Sequence, residues 1–434
     1  MRKLTLYIFG LITMAGAWAQ VPAPANTQAE PIAIMNGTAH LGNGEVIENS
    51  IITFADGKIQ AVVDATNVRM DLTGYKQVDA SGKHVYPGLI LPMTNLGLEE
   101  VSAVRATVDD NETGSINPNV RSAIAYNTDS EIIPTMRFNG IQIAQVAPKG
   151  GRIPGTSSIM QLDAWNWEDA LYKLDDGVHL NWPSVSFGPR WWRGETERRV
   201  NEEYKDQVEE VIELLKDARS YMEAKPAKSN LKLESMVPVL TGEKQLFVNA
   251  DRPKEIIEAI QTLKDAGVPS IVLTSASGVW YVKDLIKENN IPVLLTDVHR
   301  TPDSNGEDYD MPYKLAAKLH EEGILVGLTY MDGSLSSGRN LPFFAGTVVA
   351  YGGIDKEEAL KMVTSNTAKI LRIDEMTGTL EEGKDANIVI SEGDILDMSS
   401  NIITASFIQG REVKLHAMQQ RLYDKFKEKY ESQE

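Results

Sequence analysis

Between residues 141 and 328, short β-branched apolar runs alternate with segments of helical spacing, and nothing else in the chain restricts its fold as much. Ile141–Val146, Leu246–Asn249, Ser270–Leu273, Pro292–Leu295 and Ile324–Leu328 read as strands. Pro253–Ala266, Val279–Asn289 and Tyr313–Glu322 between them carry apolar residues on one helical face. Such alternation joins parallel strands through crossover helices, and the sheet is then either closed as a barrel or open and doubly wound. Glu195–Glu223 reads as one long charged helix with Val208, Val211, Ile212, Leu214 and Leu215 as its apolar positions.

The two ends of the chain have a different pattern. Ile32–Met35, Val46–Phe54 and Lys58–Val63 are short strands punctuated by Asn36-Gly37, Asn43-Gly44 and Asp56-Gly57. Ala386–Ser391 and Ile402–Ile408, followed by Gly410 and Val413, repeat it at the far end. Each piece has too few strands to close a core alone, so the ends are expected to meet in one small β-domain. Residues 412–434 read as an amphipathic helix through Leu415, Met418, Leu422 and Phe426. Its apolar stripe docks on its own core or meets a second copy.

Composition then removes several classes. Arg2 and Lys3 precede an apolar stretch from Leu4 to Gly16, and Ala17-Trp18-Ala19 forms a small-x-small cleavage site. This is the pattern of a secretory signal over residues 1–19, too short to span a bilayer, with 20–31 as a Pro/Ala linker. The chain is therefore expected to be exported, periplasmic or secreted, with no membrane span after cleavage. A net charge of −18 argues against nucleic acid and anionic membranes. With no Cys there is no disulfide, no thiolate nucleophile and no Cys metal ligand.

Val85-Tyr86-Pro87-Gly88-Leu89-Ile90 leads from a turn pair into a buried strand. With Ala33-Ile34-Met35-Asn36-Gly37, Lys149–Ser158, Gly338-Arg339-Asn340-Leu341-Pro342 and the run from Glu358 to Asn387, it resembles the amidohydrolase superfamily, in particular exported imidazolonepropionase-like members. The resemblance implies a (β/α)8 TIM-like barrel over 87–375 and a β-sandwich built from 32–86 and 376–413, with a C-terminal helix over 414–434. It also implies a hydrolase of non-peptide or cyclic C–N bonds that binds zinc or another divalent metal.

The metal positions of that family are changed here. Its first strand carries a His-x-His pair, whose i and i+2 imidazoles share a face and converge on one metal. The matching positions are Met93 and Asn95. Asn249 and Ser275 stand where the family's other two histidines would end strands five and six. Met331 aligns with the final Asp, and Asp332 falls one residue late. The Lys or Glu of strand four has no counterpart that can be assigned. A catalytic metal lowers the pKa of bound water by roughly 9 units, on the order of 12 kcal/mol of nucleophile activation, and no thioether, amide or hydroxyl supplies that. The expectation is a degenerate member without metal or other cofactor, a pseudoenzyme or a subunit beside a metal-binding relative. An active amidohydrolase with displaced ligands and a periplasmic small-solute binding protein are the alternatives.

Residual chemistry centres on Asp297 and His299, which would share a face at the C-terminal rim of a barrel strand and could act as an oriented general base, with Asp332 nearby. Arg339 and Asn340 are candidate binding residues for a small polar ligand. His40, His84, His179, His320 and His416 have no i+2 or i+4 partner, and the tryptophans of residues 165–192 would line a cleft, pack a core or carry an interface.

Overall fold

The computed structural model describes residues 23–224, 226–296, 298–302, 306–330 and 335–432. The expected signal segment, residues 1–19, lies outside them. So do Asp297, Met331 and Asp332. In chain order the strands are β1 (Ile32–His40), β2 (Val46–Ala55), β3 (Lys58–Asp64), β4 (Lys76–Asp79), β5 (His84–Pro87), β6 (Leu89–Thr94), β7 (Ile141–Val146), β8 (Thr156–Gln161) and β9 (Leu171–Asn181). Then come β10 (Ser186–Phe187), β11 (Arg199–Val200), β12 (Gln245–Ala250), β13 (Ile271–Ser275), β14 (Val293–Leu295) and β15 (Val326–Leu328). The last three are β16 (Ile388–Ser391), β17 (Ile403–Ile408) and β18 (Arg411–Glu412).

The two ends of the chain do form one sheet, in the order β18-β17-β16-β5-β1-β2-β3 with β4 beside β1. Its joint is β5 against β16, where Tyr86 stands opposite Val389 and Pro87 opposite Ile388. Burial drives this pairing. Ile34, Ile52 and Phe54 from the front end share one core with Ile388 and Phe407 from the back, and Phe54 meets Phe407 edge-on at 5.2 Å.

The central sheet runs β15-β14-β13-β12-β9-β8-β7-β6. Its pairings are parallel except around β8, which is antiparallel to both β7 and β9. The barrel is nearly closed. At the seam, Ile90 N donates to Val363 O (3.0 Å) and Leu328 N to Met362 O (2.9 Å), so one turn of chain bridges β6 and β15. Helices cover the outside. Pro253–Asp265, for example, has Pro at its first turn and buries Ile256, Ala259, Ile260 and Leu263, an i, i+3, i+4, i+7 face.

Two contacts lock barrel to terminal sheet. A Cβ on Gly88 would lie 2.0 Å from Gln142 Oε1, and Gln142 Nε2 donates to Ile388 O (3.0 Å) and Ser406 Oγ (2.9 Å). The Gly of the strand-opening phrase is thus a steric requirement. Buried Asp163 accepts from Arg137 Nη1 (2.7 Å), Arg411 Nη1 (2.9 Å) and Ala25 N (2.9 Å), which also ties residues of the 20–31 segment to the body.

Two expectations shift. The long helix is Tyr204–Ala224, because Arg199–Val200 pairs with Ser186–Phe187 as a ribbon instead. The C-terminal helix is Met418–Glu431, and none of its residues is buried. Among the described residues, no helix is long and apolar enough to cross a membrane.

Candidate functional site at the barrel mouth

Side chains alternate between the two faces of a strand. Ile90, Ile143, Ile159, Phe247, Val272 and Leu294 pack together with Ala368, Ile370 and Leu371, which marks these strand positions as the barrel interior. Two residues further along the same faces come Asn249, Thr274 and Thr296. With Thr329, which donates to Pro92 O, they give the upper interior a floor of neutral amides and hydroxyls.

The four expected metal positions that lie within the described residues have other partners. Met93 sits at a bulge in the β6–β7 pairing with φ of 58°, rare for a residue with a side chain, and packs into the apolar interior. Asn95 is buried, and its amide donates to Glu99 Oε2 (2.8 Å) and Asp110 Oδ2 (3.0 Å) in the following loop. Asn249 Nδ2 donates to Asn181 Oδ1 (3.2 Å), and Asn181 holds Gly150 O and Gly151 O. Ser275, at φ of 69°, reaches Thr296 Oγ1 at 3.4 Å. A zinc-type centre needs imidazole, thiolate or carboxylate donors. Among the described residues, no three or more His, Cys, Asp and Glu side chains are grouped to hold a metal. The residues at these positions do not fit the family's metal.

His299 is exposed and turns to the outer helices. Its Nε2 lies 2.6 Å from Thr347 Oγ1, and its ring meets Phe344 edge-on at 4.7 Å. The Thr347 hydroxyl already donates to Phe343 O (2.8 Å), so the imidazole is the donor to Thr347. The pairing expected with Asp297, like the roles of Asp332 and Met331, falls outside the described residues. Arg339 offers its carbonyl to Asn139 Nδ2 (2.6 Å), and among the described residues its guanidinium has no hydrogen bond or ion pair. Asn340 precedes the Leu341–Gly352 helix without a side-chain capping bond. Among the described residues, no hydrogen bond joins Arg339 or Asn340 to Asn249 or Ser275.

Sequence reasoning missed a buried polar rung across four strands. Gln145 Oε1 accepts from Met93 N (3.2 Å), while Gln145 Nε2 donates to Asp176 Oδ2 (2.6 Å) and Ser157 Oγ donates to Asp176 Oδ1 (2.8 Å). Burial pushes the Asp176 carboxyl up to about 6, against those hydrogen bonds. Further along β9, His179 stacks on Phe247 (5.0 Å, 10°), and burial lowers its pKa to about 3. His179 Nε2 and Thr274 Oγ1 are buried with no hydrogen-bond partner among the described residues. The signal was the polar string Asp175-Asp176-Gly177-Val178-His179 inside a strand.

At the ends of β12, β13 and β14 a cleft of ≈ 450 Å³ opens beside Ser275 and Thr296, with Asp251, Arg252, Arg300 and Glu307 on its walls. Arg300 pairs with Glu307 at 3.2 Å and Arg252 with Glu255 at 2.8 Å. Fixed charges of both signs around neutral hydroxyls suit a polar or zwitterionic ligand held by hydrogen bonds.

The sequence profile of the amidohydrolase family matches residues 208–413. An imidazolonepropionase from Picrophilus torridus is 27% identical over 173 residues, 38% of this chain and 41% of that protein. One from Thermoplasma volcanium is 38% identical over 85 residues, 20% of this chain and 21% of that protein. The matched stretches thus span less than half of either relative. A crystal structure of an amidohydrolase from Thermotoga maritima superposes with a TM-score of 0.77 at 23% identity, covering 88% of this chain and 99% of that one. A structure of molinate hydrolase follows the same fold more loosely, with a TM-score of 0.55 at 15% identity over 91% of this chain and 96% of that one. Residues 208–413 thus carry the amidohydrolase family's sequence profile, the chain as a whole has the amidohydrolase fold, and its sequence is similar to imidazolonepropionases.

Proposed function

We propose that this protein is an exported amidohydrolase-superfamily member that has lost metal-dependent hydrolysis and uses its barrel mouth to bind a small polar ligand. The observation that carries this reading is the commitment of Met93, Asn95, Asn249 and Ser275 to packing or to other hydrogen bonds, with no imidazole among them. Without a metal, water in the mouth keeps its ordinary, very weak acidity, and the activation that a metal supplies is missing. What remains favours binding. Asn249, Thr274, Thr296 and Thr329 offer donors and acceptors without charge, and Arg252, Arg300, Asp251 and Glu307 border the adjoining cleft. Uncharged His179, with its free Nε2, adds one more polar atom beneath the mouth. The basic start, apolar stretch and Ala17-Trp18-Ala19 site support export.

The test is a turnover screen of the purified protein on cyclic amides, cyclic imides and N-acyl amino acids, with and without added zinc or manganese. The reading expects no turnover above background in any condition. Hydrolysis that a chelator abolishes and zinc restores would overturn it.

A further inference from the structure

The ribbon β10–β11 immediately precedes the Tyr204–Ala224 helix. Phe187 pairs with Arg199, whose guanidinium lies 5.6 Å over the Phe187 ring. Beyond that rung, Trp191 and Trp192 sit edge-to-face at 5.8 Å and are 78% and 65% exposed, with Val200 and Phe187 exposed behind them. Two neighbouring tryptophans left this open to water mark a surface meant to be covered. The same segment carries Arg190, Arg193, Arg198 and Arg199 against Glu195 and Glu197; Glu195 already pairs with Arg190 (3.7 Å) and Arg199 (3.4 Å), which leaves Arg193 and Arg198 as the outward charges.

The ribbon's base is fixed against the helix. Asn201 N donates to Val185 O (3.0 Å), and Asn201 Nδ2 donates to Ser184 O (2.8 Å) and Gln207 Oε1 (3.0 Å). The helix itself buries Val211, Leu214, Leu215 and Ala218. Its opposite face exposes Asp206, Glu209, Glu213 and Asp217, spaced i, i+3, i+7, i+11, with exposed Lys216 pairing with Glu209 at 3.5 Å and the other three carboxylates leaving the stripe acidic. A basic aromatic ribbon and an acidic helix therefore lie side by side. A two-fold axis relating two copies would set the ribbon of each against the helix of the other.

We propose that this surface is an isologous homodimer interface in which Trp191, Trp192 and Arg193 of one copy dock on the Asp206–Asp217 stripe of a second copy. Charge selects that partner. The chain carries −18 overall, and the acidic stripe beside the ribbon repels nucleic acid and anionic bilayers while attracting the arginines of another copy. Area is adequate too. Two tryptophans from each copy bury on the order of 600 Å², about half of the ~1,200 Å² a stable interface needs, and the facing stripes supply the rest.

Sedimentation velocity on the purified chain at micromolar concentration tests this. The wild type should sediment as a dimer that dissociates as salt rises. Trp191→Ser with Trp192→Ser should raise the dimer dissociation constant on the order of a hundredfold or more, because each change occurs in both copies. Arg193→Glu/Arg198→Glu should be monomeric, as should Glu209→Lys/Glu213→Lys, with circular dichroism reporting that each folds. Mixed in equal amounts, these two charge-reversed variants should dimerise again, since both ribbon–helix contacts regain opposite signs. A monomeric wild type, dimers indifferent to the ribbon changes, or a mixture that stays monomeric would overturn the proposal.

Discussion

His179 gives the sharpest stability prediction. Its ring is buried in the barrel against Phe247, Nε2 has no partner among the described residues, and burial lowers its pKa to about 3 from the ordinary 6.5. A folded-state pKa depressed in this way leaves stability intact above the unfolded value and removes it as pH falls below about 6.5, because only the unfolded chain takes up the proton easily. The loss grows by about 1.4 kcal/mol per pH unit and reaches about 2 kcal/mol at about pH 5. His179→Leu removes both the titrating group and the orphaned nitrogen. Urea unfolding at about pH 7.5 and about pH 5, followed by circular dichroism, should show the wild type losing about 2 kcal/mol more than the variant over that interval. If the two lose stability in parallel, the imidazole is not held uncharged by burial, and the description of the barrel interior fails with it.

Other outcomes follow from the same physics. Asp176 has a folded pKa raised to about 6, so its ionisation costs stability above that pH and the cost disappears as pH falls toward 3.8; Asp176→Asn should raise stability at about pH 8 by up to about 3 kcal/mol and match the wild type below about pH 4, read from melting curves across pH. Ser157 can turn its hydroxyl proton to Gly177 O, 3.2 Å away, and accept from the new amide, so no bond need be lost. Asp163→Ala should cost about 3–5 kcal/mol in urea unfolding, since it leaves the buried Arg137 guanidinium without its carboxylate. The quadruple variant Met93→His, Asn95→His, Asn249→His, Ser275→His should fold yet take up less than one zinc per chain after dialysis. Position 93 lies on a left-handed bulge and position 95 faces Glu99 and Asp110, so stoichiometric uptake would mean the older geometry survives.

The parts of the fold that follow apolar periodicity were legible from sequence. Ile141–Val146 is a strand as read, and the front and back pieces join because neither could cover its own apolar face. The interior strands β8 and β9 were not legible. Ser157, Ser158, Asp176 and His179 are fully or almost fully buried there, so the pattern of a half-buried or apolar strand is broken just where the barrel becomes polar. The His40–His84 contact was equally hidden. These residues lie on β1 and β5, and His40 Nε2 meets His84 Nδ1 at 2.9 Å while Nδ1 meets Glu357 at 2.6 Å, a cluster that no i+2 or i+4 spacing announces. Of the candidate site, Ser275 does line the mouth cleft, whereas His299 binds an outer helix. The tryptophans of residues 165–192 do not form one core: Trp182 is buried on Tyr204, and Trp165, Trp191 and Trp192 are exposed.

The central claim is that the barrel mouth no longer holds a metal, and metal stoichiometry measures it most directly. The full-length chain, purified without chelator from cells supplied with zinc, manganese and iron, would be analysed by inductively coupled plasma mass spectrometry against protein concentration. The account predicts far less than one equivalent of any of these metals per chain. About one equivalent, retained through dialysis and lost only on unfolding, would contradict it.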